Sequence, residues 1–164
     1  MREDDYGELF AVASDPLIWE QHPEPDRWRE EVFGRFFAKA LASGGALVAI
    51  DRRDGRVVGS SRFHGYDAEP SEVEIGWTFL ARSHWGGDVN GEMKRLMLEH
   101  AFQSVDHVVF LIGPDNIRSQ RSVEKIGAVR VPGMRMGGEG REGVVYEIER
   151  LEWDGGAEAG PTEP

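Results

Sequence analysis

The chain contains no cysteine. That absence excludes a disulfide scaffold, a thiol nucleophile and a cysteine-ligated zinc site. Positive charge is scarce: 19 Lys and Arg stand against 30 Asp and Glu, a net charge of −11. Nucleic-acid binding draws on a basic footprint, so no nucleic-acid partner is expected. An acidic surface suits a cationic or amine substrate, or simply keeps the protein in solution. No apolar run approaches the roughly 20 residues of a membrane-spanning helix, and the acidic opening MREDDYGELF lacks the apolar segment of a signal peptide. The expectation is a cytoplasmic protein with no membrane partner. The nucleotide loop GxxxxGK[ST] is missing, no GxGxxG turn leads from a strand into a helix, and no metal site is expected.

What is present describes a folded domain. Of 164 residues, 40% are hydrophobic and 10% aromatic, enough for one real core. Residues 1–153 read as a single domain. Residues 154–164 are small, acidic and proline-capped, with nothing to bury, and read as a frayed tail.

Asp4 or Asp5 predicts the start of a short helix ending near Ala13, before Asp15-Pro16. A second helix is predicted from Asp26. Trp28, Val32, Phe33, Phe36, Phe37, Ala40 and Leu41 share its apolar face, and Ser43-Gly44-Gly45 ends it. Ala46–Ile50 and Arg56–Phe63 flank an Asp54-Gly55 turn and form a hairpin.

In Val73–Phe79, Val73, Ile75, Trp77 and Phe79 alternate with Glu74, Gly76 and Thr78, the pattern of a half-buried strand. Gly86-Gly87 breaks it. Val89, Met93, Leu96, Met97 and Ala101 then recur at helical spacing, and that helix ends near Ser104. A glycine turn feeding a helix N-terminus offers unpaired N–H groups and a positive dipole end, a place for a phosphate.

His107–Ile112 is continuously apolar, as in a strand covered on both faces. A polar helix follows over about Ile117–Ile126, with Gly127 just past its end. Val129–Met136 and Val144–Leu151 form a last hairpin around Gly137–Gly143. The order α-α-β-β-β-α-β-α-β-β predicts an α/β (α+β) fold, a mixed, mostly antiparallel central sheet with helices on both faces.

Arg82-Ser83-His84-Trp85-Gly86-Gly87, between a strand and a helix, resembles the acyl-CoA pyrophosphate loop of the GNAT N-acetyltransferases. Asn116-Ile117-Arg118-Ser119, leading to Glu124-Lys125-Ile126-Gly127, resembles their second cofactor motif. The resemblance spans roughly Leu9 to Leu151, and the Rim-type branch, which acetylates protein N-termini, is the most similar.

The chain departs from the family pattern twice. Asp88 falls where the loop has its second small residue, and it reads either as a charge beside the pyrophosphate or as the helix cap, the cap being favoured. The strand that opens family members is missing, which leaves a free sheet edge that could serve a homodimer.

The resemblance implies acetyl-CoA as cofactor and transfer of its acetyl group to a primary amine, a small molecule or a protein N-terminus. A noncatalytic acyl-CoA-binding module on the same fold is the alternative. The residues around Trp85, Gly86, Gly87, Asp88, Val89 and Asn90 would hold the pyrophosphate with Arg82. The strand backbone at Trp77, Thr78, Phe79 and Leu80 would meet the pantetheine arm, with an N–H near Phe79 facing the oxyanion. Asn116 would cap its helix and meet the same arm.

Arg118, Arg121 and Lys125 form a basic stripe for a CoA phosphate or a solvated face, and Lys94 reaches a cofactor phosphate or pairs with Asn90 or Glu residues. Glu74, sharing the polar strand face with Thr78, is the candidate general base or a solvent-facing residue, with His64 and His22 behind it. Ser119 would protonate the leaving thiolate or bond back to its helix. For the acceptor, Trp19, His22 and Tyr66 are candidates, and Trp19, Trp28, Tyr66 and Trp77 could form an aromatic wall or ordinary core. Trp28 reads as core.

Overall fold

The computed structural model describes residues 1–137, 140 and 142–153. Six strands form one sheet in the order β1-β2-β3-β4-β6-β5. These are β1 (Ala46–Ile50), β2 (Val57–Asp67), β3 (Glu72–Leu80), β4 (His107–Ile112), β5 (Val129–Met136) and β6 (Glu142–Glu149). Only β3 and β4 run parallel, and every other pair is antiparallel. The mixed, mostly antiparallel sheet holds as predicted. β4 lies in the interior, between β3 and β6, as its unbroken apolar run requires.

Helices cover both faces. α1 (Tyr6–Ala13) and α2 (Glu30–Ala42) build one core from Leu9, Ala13, Trp19, Phe33, Phe36, Phe37 and Phe79. Aromatic rings dominate it: Tyr6 meets Phe37 edge-on at 5.1 Å, and Trp19 lies 5.2 Å from Phe79. On the other face α3 (Val89–Ala101) and α4 (Ile117–Glu124) close a second, mostly aliphatic core with Val73, Ile75, Val108, Phe110 and Ile148.

Local rules explain several element ends. Gly55 turns the first hairpin at φ 74°, and its N–H donates to the Asp51 carbonyl at 2.8 Å. Gly127 stops α4 at φ 91°, and the following Ala128 N–H reaches back to the Val123 carbonyl at 3.1 Å, a Schellman closure.

Other expectations need correction. α2 starts at Glu30 rather than at Asp26, because Asp26–Arg29 closes a separate turn, the Arg29 N–H donating to the Asp26 carbonyl at 2.9 Å. Trp28 therefore precedes the helix, is 36% exposed, and lies under the Arg29 guanidinium instead of in the core. β2 runs four residues past Phe63, because its register with β3 continues to Asp67–Glu72. Among the described residues no strand precedes α1, and β1 is a free edge, touched at one end by the Met1 amino group, which donates to the Ala46 carbonyl at 3.1 Å. The tail at 154–164 lies outside the described residues, as does part of the Gly137–Gly143 loop.

One residue breaks the apolar character of the second core. Lys94 of α3 is 3% exposed. Its ammonium donates to Thr78 Oγ1 at 2.6 Å and to Ser61 Oγ at 3.2 Å, and sits 5.6 Å from the Phe110 ring centre. Burial lowers its pKa from 10.5 to about 7, and no charged neighbour offsets that.

Stability should follow from this. Between about pH 7 and 10.5 the unfolded chain holds the Lys94 proton and the folded chain does not, so folding stability rises with pH at up to ~1.4 kcal/mol per unit. Below that window both states are protonated and the full penalty applies. Lys94→Met should therefore be the more stable protein at and below neutral pH, with its advantage shrinking toward pH 10.5. Urea unfolding of both proteins across this range measures the difference. A gap that does not change with pH would mean that Lys94 does not titrate in the folded protein.

Candidate functional site

The site begins where two parallel strands stop pairing. β3 and β4 are in register only over Glu72–Glu74 and His107–Val109. Beyond that, β3 continues to Leu80 against β2, while β4 continues to Ile112 against β6. The strands part, and their facing edges from Ile75 and from Phe110 carry backbone groups that no strand pairs.

Alternation decides which groups face this opening. The Ala81 N–H donates to the Val58 carbonyl of β2 at 2.8 Å. Phe79, two residues back and opposite Ser60, points its backbone the same way. Leu80 points to the opening, and its carbonyl accepts the Trp85 indole N–H at 3.0 Å. The expectation of an oxyanion-facing N–H at Phe79 is corrected accordingly: the open-side position is Leu80, and the Phe79 ring is core.

A bulge lies between the two parts of β3. Ser60 pairs with Phe79 and Arg62 with Gly76, so three steps on β3 oppose two on β2. Trp77 takes up the extra length at φ 51°, an unusual conformation for a bulky side chain. Facing is inverted across it. Val73 and Ile75 look toward α3 and α4, whereas Trp77 and Phe79 look toward α1 and α2.

Glu74 and Thr78 consequently lie on opposite faces, not on the shared polar face that plain alternation predicts. Glu74 sits opposite His64 on the α1/α2 side, with its Oε1 lying against Gly76. Trp77 meets the His64 ring at 5.1 Å and the Arg62 guanidinium at 4.6 Å. Thr78 turns to the α3 side, where its hydroxyl meets Ser61 at 2.8 Å and Lys94 at 2.6 Å. Lys94 is thus directed into the protein and does not extend toward a phosphate on the surface.

The segment 81–88 joins β3 to α3. A 3-10 turn over Arg82–His84 comes first, then Gly86 at φ 73°. Arg82 pairs with Asp15, and that hydrogen bond holds the Asp15 carboxyl below its usual range. His84 reaches Asp51 of the β1–β2 turn at 3.2 Å. Asp88 occupies the N-cap position of α3, and its carbonyl accepts the Glu92 N–H at 2.8 Å, but its side chain makes no cap. The side-chain cap reading of Asp88 is therefore corrected. The first turn of α3, over Val89 and Asn90, has N–H groups that no side chain takes up.

α4 closes the site from the far side. Asn116 is buried and caps α4, accepting the Ser119 N–H at 3.2 Å. Ser119 is half-buried, on the face that carries buried Val123. Asn90 donates to Ser122 Oγ at 2.8 Å and so ties the start of α3 to α4. The two sequence motifs are neighbours in space.

Arg118 departs from the basic stripe. Its guanidinium donates to the Ile18 carbonyl at 2.7 Å and covers the Trp85 ring at 4.1 Å, while Arg121 and Lys125 stay exposed. Gln21 accepts the Arg118 N–H, and Pro23 packs against Gly113. The connection between α1 and α2 is thereby strapped to α4 and to the loop.

The structure does not assemble the predicted aromatic wall. Trp19 is core, 2% exposed, with its indole N–H on the Ala13 carbonyl. His22 lies half-buried in a network with Arg27 and Glu24. Tyr66 is exposed near the end of β2, and Trp77 alone stands beside the opening. The sequence reading passed over Arg62 and Arg27, both buried against aromatic rings. Neither charge lies on a periodic face that would have drawn notice, although the many nearby aromatics were a signal. A broad depression of about 590 Å³, lined by Glu8, Val12, Asp15, Arg56 and Arg82 among others, lies near α1 and the start of β2, and the parted edges of β3 and β4 do not line it.

The sequence matches the family model for an acetyltransferase (GNAT) domain over residues 1–129, which includes the opening, the loop, α3 and α4. No curated protein matches the sequence. Among solved structures, one titled as an acetyltransferase from T. thermophilus is similar at 28% identity and TM-score 0.72, covering 94% of this chain and 86% of that one. Mycobacterium smegmatis RimJ, in complex with CoA-disulfide, shares the fold at 19% identity and TM-score 0.65, covering 93% of this chain and 80% of that one. An aminoglycoside acetyltransferase in complex with coenzyme A and kanamycin does so at 21% identity and TM-score 0.71, covering 93% of each chain. With the family model matching residues 1–129 of 164, and with the parted strands, the glycine loop and α4 gathered into one site, the chain belongs to the GNAT family of acetyltransferases.

Proposed function

We propose that the chain moves the acetyl group of acetyl-CoA to a primary amine, on a small molecule or at a protein N-terminus, by direct attack with both substrates bound. The observation that carries this reading is the parting of β3 from β4 beside the Gly86 loop and the uncapped first turn of α3. The pair offers an unpaired strand edge for an amide-bearing arm and a helix N-terminus for a pyrophosphate. The Rim-type branch is favoured by the same fold in RimJ, whereas the fold of the kanamycin-bound enzyme keeps small amines in play.

Acetyl-CoA supplies an activated thioester. The chain's residues supply position and charge. Backbone N–H groups over Gly86–Asn90 hold the pyrophosphate, assisted by the positive end of α3. The open-side backbone at Leu80 aligns the arm, and the Trp85 indole now on its carbonyl is the group that gives way. Glu74, on the α1/α2 face at the last paired position of β3, takes the proton of the incoming amine, directly or through one water. Arg121 and Lys125 offer the remaining phosphate exposed charge on α4. Orientation provides most of the rate, because no covalent enzyme intermediate is needed.

Release of free thiol from acetyl-CoA should be seen with at least one member of a panel of amines and N-terminal peptides. Tight acetyl-CoA binding without any turnover would reduce the protein to a binding module, and absence of binding would end the reading. Glu74→Gln should lower kcat by about 100-fold or more, with acetyl-CoA affinity unchanged. An equal loss of affinity would instead make Glu74 a structural residue.

The loop offers a sharper comparison. Gly86 has φ 73° and open space around it, so Gly86→Ala is penalised by conformation alone, by roughly 1–2 kcal/mol. Gly87 also has open space and no positive φ. Calorimetric titration with CoA should give a five- to thirtyfold weaker complex for Gly86→Ala, on the order of that penalty, and little change for Gly87→Ala.

A further inference from the structure

Lysine is rarely buried without a carboxylate, since an ammonium moved out of water needs an anion or several strong acceptors. Lys94 has two hydroxyls and an aromatic face. The two hydroxyls also bond each other, Ser61 Oγ to Thr78 Oγ1 at 2.8 Å, so they would be satisfied without it. Nothing in the folding of the core calls for a cation here. A methionine of similar length would fill the space at lower cost.

The place of this cation is informative. Thr78 is the first residue of β3 beyond the bulge, and Phe110 is the first residue of β4 beyond the last β3–β4 pair. The Lys94 amine bonds Thr78 and faces the Phe110 ring at 5.6 Å, so it stands at the closed end of the opening, on the α3 face. Glu74 stands at the same fork on the opposite face. A group entering between the strands from the Gly86 loop would end between these two side chains.

We propose that Lys94 is a catalytic residue of acetyl transfer, its ammonium meeting the CoA sulfur at the fork and giving it the proton that completes the free thiol. The inference rests on the acetyl-CoA reading above. As the acceptor nitrogen bonds to the acyl carbon, the carbon–sulfur bond breaks and its electron pair stays on sulfur. Lys94 Nζ–H transfers its proton to that sulfur and is left as a neutral amine. The acceptor nitrogen gives up one proton through Glu74 and solvent, and Lys94 regains one from solvent, so the sum is amine plus thioester to amide plus thiol. An unpaired buried cation favours the state in which negative charge develops beside it, which is the differential stabilisation that speeds a reaction. Burial also brings Lys94 to a pKa of about 7, where an ammonium gives up its proton readily at neutral pH. Ser119, half-buried on α4, is the competing donor from the sequence reading.

The direct test needs no acceptor. CoA itself is bound to the protein, and its thiolate is followed by ultraviolet absorbance against pH. With CoA bound the two groups titrate as a pair: thiolate should appear on the wild-type protein at least one pH unit lower than in free solution, because the charge on sulfur keeps the Lys94 proton in place above the pKa of about 7 that the lysine has without CoA. Lys94→Met should return it to the free value while still binding CoA, and Ser119→Ala should leave the shift in place. In turnover with a competent amine, Lys94→Met should lose about 100-fold in kcat with the KM for acetyl-CoA within about threefold.

A bound thiol that ionises as in free solution on the wild-type protein would overturn the proposal. So would a shift lost in Ser119→Ala and kept in Lys94→Met, or the appearance of an acetyl group on Lys94 after incubation with acetyl-CoA alone, which would make it an acceptor. Failure of CoA to bind either protein would remove the acetyl-CoA reading and this inference together, and is distinct from binding with an unshifted thiol.

Discussion

Trp77 sits at φ 51° where two residues of β3, Trp77 and Thr78, face one of β2, Ser61, and most of the site depends on that mismatch. A bulge adds twist to the strand that carries it. Before it, β3 is in register with β4. After it, the strand follows β2 and leaves β4 behind. The same extra residue exchanges the two faces of the strand. Without it, Glu74 and Thr78 would share one face and Lys94 would have no hydroxyl from β3. The strained residue is held by packing from both sides, against His64, against the Arg62 guanidinium and at the margin of the aromatic core. Strain of this kind persists only where surrounding contacts over-determine it.

A second set of contacts holds the open edges at a fixed distance. Asn90 and Ser122 bridge α3 to α4, and Arg118 spans from α4 to the Ile18 carbonyl and the Trp85 ring. The sheet itself makes no bond across the gap, so these side chains do. Arg118 suits the task because a planar guanidinium stacks on an indole and still donates in its own plane. Through it, the connection before α2 is mechanically joined to the loop that follows β3.

Legibility in the sequence divides along the range of the forces involved. The Asp54-Gly55 hairpin, the Gly127 stop, the interior strand His107–Ile112 and the Asn116 cap are set by neighbours within a few residues, and each is where the pattern predicts. Failures come where tertiary contacts override the local period. Alternation through Val73, Ile75, Trp77 and Phe79 looks like one buried face, but both faces of this sheet are buried, so an apolar residue is accepted on either and the pattern cannot reveal a change of side. Trp28 fits the α2 period by spacing alone, yet the helix begins after it. For Lys94 and Arg118, helical position was correct and direction was not. A long cationic side chain reaches several ångströms either way, and its choice depends on hydroxyls and rings contributed by other elements. Asp88 fails in the reverse sense, occupying the right backbone position while its side chain makes no bond there.

Charge ties these features to chemistry. A chain of net charge −11 is a poor match for an anionic cofactor if its charge is treated as a sum. At physiological ionic strength, however, exposed charges are screened within about 8 Å, so the local field governs binding. On the loop side the positive end of α3 and the exposed Arg121 and Lys125 stand against the exposed carboxylates of Asp88 and Glu92. On the α1/α2 side Glu74 lies beside the half-buried His64 and the Trp77 ring, which is where the proposed function brings in the amine. The fork of β3 and β4 is the one place where these two environments meet, with a carboxylate on one face and a buried ammonium on the other. A sheet that stayed fully paired would keep them apart. In the proposed reaction the parting of two strands would therefore supply the binding edge for one substrate and also the passage by which a carboxylate and a cation, fixed on opposite faces, act on the two ends of a single bond exchange.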